Sequence, residues 1–149
     1  MARFLPFRGI LYDQTLAGAL TDLICPPYDI ISPQEKLLLQ KRSPYNMVNL
    51  ELSETEGPPS PDQYSIAAEL FRAWQAQGIL KRDSVPAYYL LQQRFESDGS
   101  LLDRHSLIGV LELGEWGQSI LPHEHTGTAA KEDRYALMRS ANANFSPLM

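Results

Sequence analysis

The segment Leu121-Pro-His-Glu-His-Thr126, followed by Lys131-Glu-Asp-Arg134, is the densest run of proton-moving and charged side chains in the chain. Three chemistries fit it. His123 and His125 lie two apart, so in an extended segment both rings point to one face, as a pair of metal ligands does. A third ligand, such as His105 or Asp133, has to come from elsewhere. His123 or Glu124 can instead serve as an acid or base, with Pro122 fixing the chain just before them. The third chemistry is anion binding. Thr126-Gly-Thr-Ala-Ala130 precedes a predicted helix, and free N–H groups at a helix N-terminus hold phosphate or carboxylate. Lys131 and Arg134 share one face of that helix, and a guanidinium can grip an anion in bidentate fashion.

Two further segments place polar groups beside rigid proline turns. Pro26-Pro-Tyr-Asp29 sets Tyr28 and Asp29 in a constrained backbone, and Pro44-Tyr-Asn46 does the same for Asn46. Asn144-Phe-Ser-Pro147 adds an amide and a hydroxyl. Trp74 and the pair Tyr88-Tyr89 read as core rather than as ligand stackers.

These residues need elements to hold them. Phe4 to Tyr12 reads as a strand, with Pro6 pushing it to an edge or a bulge. Ser32-Pro-Gln-Glu35 is a capping box with proline in the first helical turn, so a helix runs to about Lys41 and stops before Ser43-Pro44. Tyr45 to Leu52 alternates like a second strand. Ser53 to Pro61 is a loop, and Ser60 caps a helix whose core stripe is Ile66, Ala67, Leu70, Phe71 and Trp74, with Gly78 beyond its end. Ala87–Phe95 and Leu102–Leu113 form a hairpin about Asp98-Gly99. A short strand, Ser119 to Leu121, leads into the dense segment, and Lys131 to Ala141 is the last helix. This order predicts an α/β or α+β fold: a mixed sheet with two to three helices and a β-hairpin near residues 87–113.

At 149 residues the chain is long enough for a single domain, 1–149, with its own core. Its net charge of −5 argues against a nucleic-acid partner, since phosphate-backbone binders carry a basic excess. Cys25 is the only cysteine, which removes an intrachain disulfide and a cysteine-based zinc site and suits a cytoplasmic setting. No apolar run is long enough for a membrane span. No Gly-x-Gly-x-x-Gly or Walker-type lysine loop is present, so the motifs leave the cofactor unknown. Asn144-Phe-Ser-Pro-Leu-Met149 ends on apolar residues, which reads as an N-terminal fragment of a longer protein.

Pro26-Pro-Tyr-Asp-Ile-Ile-Ser32, Pro44-Tyr-Asn-Met-Val-Asn-Leu50, Leu121-Pro-His-Glu-His-Thr126, Lys131-Glu-Asp-Arg134 and Ala143-Asn-Phe-Ser-Pro147 stand in this order. With the Phe7-Arg8-Gly9 opening, they resemble the N-terminal part of domain-of-unknown-function family 1015, a family of bacterial and archaeal proteins. The resemblance spans essentially the whole chain. It implies a longer protein, and through neighbouring serine-biosynthesis genes it points toward amino-acid or phosphoserine metabolism. In that family position 125 is commonly another basic residue, which implies a cationic role for His125 and demotes the metal reading. The expectation is an enzyme of small-molecule metabolism acting on a small anionic metabolite. In it His123 and Glu124 do acid–base work, Thr126, Lys131 and Arg134 bind the anion, and Asp29, Tyr28 and Asn46 line the pocket. A non-catalytic ligand-sensing or interaction domain is the alternative.

Overall fold

A computed structural model describes residues 2–53, 62–115, 117, 118, 120, 121, 125 and 127–146. His123, Glu124, Thr126, the 54–61 loop and the Ser60 cap therefore lie outside the described residues. Strands β1 (Phe4–Leu5) and β2 (Ile10–Tyr12) open the chain, followed by short helices α1 (Gln14–Ala17) and α2 (Leu20–Leu23). Tyr28–Ile30 forms a single 3-10 turn. Helices α3 (Pro33–Arg42), α4 (Val48–Glu51) and α5 (Asp62–Ala76) follow, then β3 (Leu80–Arg82). The chain continues through β4 (Tyr89–Ser97), β5 (Ser100–Ile108), β6 (Val110–Leu111) and α6 (Thr128–Ala141). The fold is mixed α and β, with three two-stranded sheets ordered β1-β6, β2-β3 and β4-β5. No helix among the described residues is long and apolar enough to cross a membrane.

The chain divides into two compact units. The described residues of Met1–Ile10 and Arg82–His125 form one. Its main feature is the β4–β5 hairpin, paired antiparallel from Tyr89↔Ile108 to Ser97↔Ser100. Asp98 and Gly99 both take positive φ, 51° and 72°, the conformation a two-residue hairpin turn requires. Both strands run right up to this turn. The expected first strand is split. Phe4 and Leu5 pair with Leu111 and Val110, while Phe7 bridges to Ala87. Gly9 sits under Tyr89, whose hydroxyl accepts the Gly9 N–H at 2.7 Å and donates to Asp83. A Cβ at Gly9 would meet that hydroxyl at 2.6 Å, so the close approach itself demands glycine. Ile120 makes an isolated β-bridge and its carbonyl accepts the Gly117 N–H at 2.9 Å, while Ser119 is outside the described residues.

The second unit, Leu11–Lys81 and Thr126–Leu148, holds the apolar core. Leu23, Leu39, Val48, Leu50, Phe71, Trp74 and Leu137 are buried there. Trp74 packs against Tyr45 edge-on at 5.8 Å and against Tyr12 at 6.3 Å between ring centroids. The α5 stripe is buried at Ala67, Phe71 and Trp74, but Ile66 is 39% exposed, and Ala68 takes a core position instead. Ser32 and Glu35 form the reciprocal capping box at α3. Gly78 follows α5 with φ of 75°, a left-handed C-terminal position.

One expected element is of the wrong type. Tyr45–Leu52 is not a strand. Val48–Glu51 is one helical turn, and its start is set by Asn46. The Asn46 side-chain oxygen accepts the Val48 N–H at 3.0 Å, while its amide donates to the carbonyls of Asp22 and Ile24. Burial at Val48 and Leu50 imitates strand alternation over so short a run. Contacts with a segment more than twenty residues away decide for the helix.

Asp13 caps α1 through the Thr15 N–H and pairs with Lys81. The Lys81 bond, followed by those from Thr15, holds the Asp13 carboxyl down from the ordinary 3.8 to about 2. A carboxylate with a depressed folded pKa stabilises above its unfolded pKa, and this is lost as pH falls through the folded value. Asp13→Asn therefore melts below wild type at neutral pH, and the gap closes as pH drops from about 4 to about 2. Thermal melts of both proteins across that window check it; a gap unchanged at pH 2 would refute the linkage.

A candidate site centred on Arg134

Arg134 lies nearly two turns into α6 and reaches across the second unit. Its Nη1 donates to Glu51 Oε2 at 2.5 Å, and Nη2 reaches the Glu51 carbonyl at 3.3 Å. Nε and Nη2 both donate to Asp133 Oδ2, at 2.8 and 2.5 Å. Tyr28 lies flat beneath the guanidinium, with Cζ 3.7 Å from the ring centroid, a close cation–π contact. Ser146 Oγ donates to the other oxygen of Glu51 at 2.5 Å. Tyr64 donates to Asp133 Oδ1 at 2.8 Å. Burial, reinforced by that carboxylate acceptor, raises the Tyr64 hydroxyl pKa. Phe145 anchors the Ser146 segment by packing edge-on against Phe71 at 5.0 Å.

Each participant is placed by its own element. The 3-10 turn after Pro26-Pro27 presents Tyr28. The single turn of α4 ends on Glu51, whose side chain is 5% exposed against 23% for Arg134. The first half of α6 carries Asp133 and Arg134 together. Residues from three separated segments thus meet at one guanidinium, which sits between two carboxylates and is formally over-neutralised by them.

The sequence-assigned residues divide clearly. Tyr28 and Arg134 are in direct contact. Asn46 is fully buried, with its oxygen and both amide hydrogens bonded within the chain, so it holds the Cys25–Tyr28 approach and the start of α4 in place. Asp29 and Lys131 are exposed and have no side-chain partner among the described residues. His123, Glu124 and Thr126 lie outside the described residues; His125, just beyond them, is exposed. His105 belongs to β5 in the other unit. Glu51, Tyr64 and Ser146 were not singled out as site residues. Glu51 directly follows the Pro44–Leu50 motif, and reading that stretch as a strand hid its direction.

Elsewhere in the second unit, a groove of about 390 Å³ is lined by Thr21, Ile24, Cys25, Pro26, Leu38 and Arg42, among others. Burial, aided by the Glu51 charge, pushes the Cys25 thiol up to about 11. It is therefore a protonated, weakly nucleophilic wall residue at neutral pH.

Residues 4–149 match the family model described as protein of unknown function (DUF1015). The chain belongs to the DUF1015 family. No curated protein and no solved structure matches it. The five motifs therefore have a family setting but no borrowed activity, and the residues around Arg134 must carry the functional argument for this DUF1015 chain themselves.

Proposed function

We propose that this DUF1015 chain serves an enzyme of small-molecule metabolism that acts on a phosphorylated or carboxylated metabolite, in a cytoplasmic setting. One observation carries the reading. Tyr28, Asp133, Arg134 and Ser146, drawn from three motif segments, converge with Glu51 in one charged cluster. Buried ion pairs are inefficient stabilisers compared with apolar packing, so a network of this kind suits a site better than a mere core. In this reading Arg134 fixes the first half of α6. The Arg134 donors are committed to Glu51 and Asp133, so anion contact falls chiefly to Lys131, Thr126 and the free N–H groups at the helix start. His123 and Glu124 exchange the proton, and Tyr28 and Asp29 border the substrate. Asn46 acts through the backbone it clamps.

A thermal-shift panel of phosphoserine, serine, simple carboxylates and nucleotides tests the reading. A ligand at about a hundred times its Kd adds roughly 2.7 kcal/mol to stability, a shift of several degrees in a domain of this size. Wild type is expected to shift and Lys131→Ala to lose most of the shift. His123→Ala and Glu124→Gln should keep binding but form no product by mass spectrometry. Binding without turnover in wild type would establish the ligand-sensing alternative. If no ligand shifts wild type more than Lys131→Ala, the site is elsewhere.

A further inference from the structure

The β4–β5 hairpin is a sheet of two strands only, and no third strand among the described residues joins either edge. Two-stranded ribbons are marginal by themselves, and a nine-residue open edge is a template for another strand. The tight Asp98-Gly99 turn makes Ser97 and Ser100 a hydrogen-bonded pair, and this sets the parity of the whole ladder. Ser100, Leu102, Arg104, Ser106 and Ile108 direct their backbone groups to β4. Leu101, Asp103, His105 and Leu107 direct theirs outward. The side chains of these four share one face of the hairpin with Leu90 and Arg94.

We propose that β5 is a self-association edge, and that its occupant is β5 of a second copy of this chain. The strands run antiparallel about a two-fold axis at Arg104, giving a continuous sheet β4-β5-β5-β4. In this register all nine residues overlap, and every outward backbone group meets an outward group. Leu101, 69% exposed, lies opposite Leu107 of the second copy, which is 58% exposed. Asp103 lies opposite His105 of the second copy. Both pairings occur twice by symmetry, so a carboxylate meets an imidazole and apolar surface meets apolar surface along the edge.

The unfavourable element of this register is Arg104 opposite itself, and the hairpin has already removed it. The Arg104 guanidinium is drawn back over β4, with Nη2 2.6 Å and Nε 2.9 Å from Gln93 Oε1, and it lies over the Phe95 ring. Asp103 is likewise backed by Arg94, at 2.9 Å, which leaves its carboxylate facing along the sheet. Charges in the middle of an edge strand block indiscriminate pairing. Here they match only in the antiparallel self-register, so they select one partner. A one-residue slip would set outward backbone groups against inward ones and lose the ladder.

Sedimentation equilibrium of the whole chain from micromolar to several hundred micromolar tests the proposal. Wild type is expected to approach twice the mass of one chain at the top of that range. His105→Asp places Asp103 against a second carboxylate and should weaken association at least tenfold. The double exchange Asp103→His with His105→Asp restores opposite pairs and should recover the dimer, which a simple loss of folding would not do. In a Cys25→Ser background, Arg104→Cys should form a disulfide-linked dimer under mild oxidation, because residue 104 meets its own copy at about 4.5 Å between Cα atoms. A wild type that stays monomeric throughout, or a His105→Asp variant that dimerises as well as wild type, overturns the proposal.

Discussion

Replacing Arg134 by methionine is expected to lower the free energy of unfolding of the second unit by about 3–5 kcal/mol. The substitution keeps much of the apolar stem but strands Glu51, whose side chain is 5% exposed and whose carboxylate then retains only the Ser146 hydroxyl. An uncompensated buried charge costs more than the intact pair contributes, because burial removes its water without replacing its partner. Asp133 and the Tyr28 ring lose their shared cation at the same time. Adding Glu51→Gln to Arg134→Met should recover part of the loss, since glutamine brings no charge into the gap. Urea unfolding of wild type, both single variants and the double gives the coupling directly. A coupling energy below about 0.5 kcal/mol would mean that the pair is solvated and that the centre is not a buried network.

The second large effect is expected at Asn46. Asn46→Ala leaves the Asp22 and Ile24 carbonyls and the Val48 N–H without their side-chain partner in a position with no solvent access. Each stranded buried group costs about 1–3 kcal/mol, so the variant should lose at least about 3 kcal/mol. Asn46→Asp is no remedy, because it keeps the acceptor for Val48 but sets a carboxylate against two carbonyl oxygens. The discriminating measurement is amide hydrogen exchange. Val48 and the α4 turn should lose protection in Asn46→Ala, while the β4–β5 ladder in the other unit keeps it. Uniform loss across both units would assign Asn46 a global rather than a local role.

The proposed function connects these two residues. Asn46 holds together the segments that present Tyr28 and Glu51, and Arg134 ties both to the first half of α6. Damage at either residue should therefore displace Lys131 and the start of α6 without touching a ligand, and reduce binding in the thermal-shift panel even where the fold survives.

Much of the fold was legible because its signals are local. The α3 capping box involves residues three apart, and the Asp98-Gly99 turn requires two adjacent positive φ angles. The α5 stripe repeats every three or four residues. Such patterns act within one turn of chain, so the chain alone reports them. The Tyr45–Leu52 stretch misled for the same reason. Four residues satisfy a period of two as easily as a single helical turn, and the deciding Asn46 bonds run to residues 22 and 24 positions away. Around Arg134, the motif residues Tyr28, Asp133 and Ser146 were visible as unusual segments, but nothing local linked them.

By itself, the sequence determined the family, the mixed α and β character, the capped α3 helix, the hairpin turn and the candidate polar segments. Tertiary structure alone decided that Glu51 joins Arg134 across 83 residues, that Asn46 is a buried clamp, and that Arg134 faces two carboxylates. The physical reason is range. Propensity, capping and periodicity are properties of neighbours along the chain, whereas the partner of a buried charge is set by which distant segments the apolar core brings within 3 Å of it.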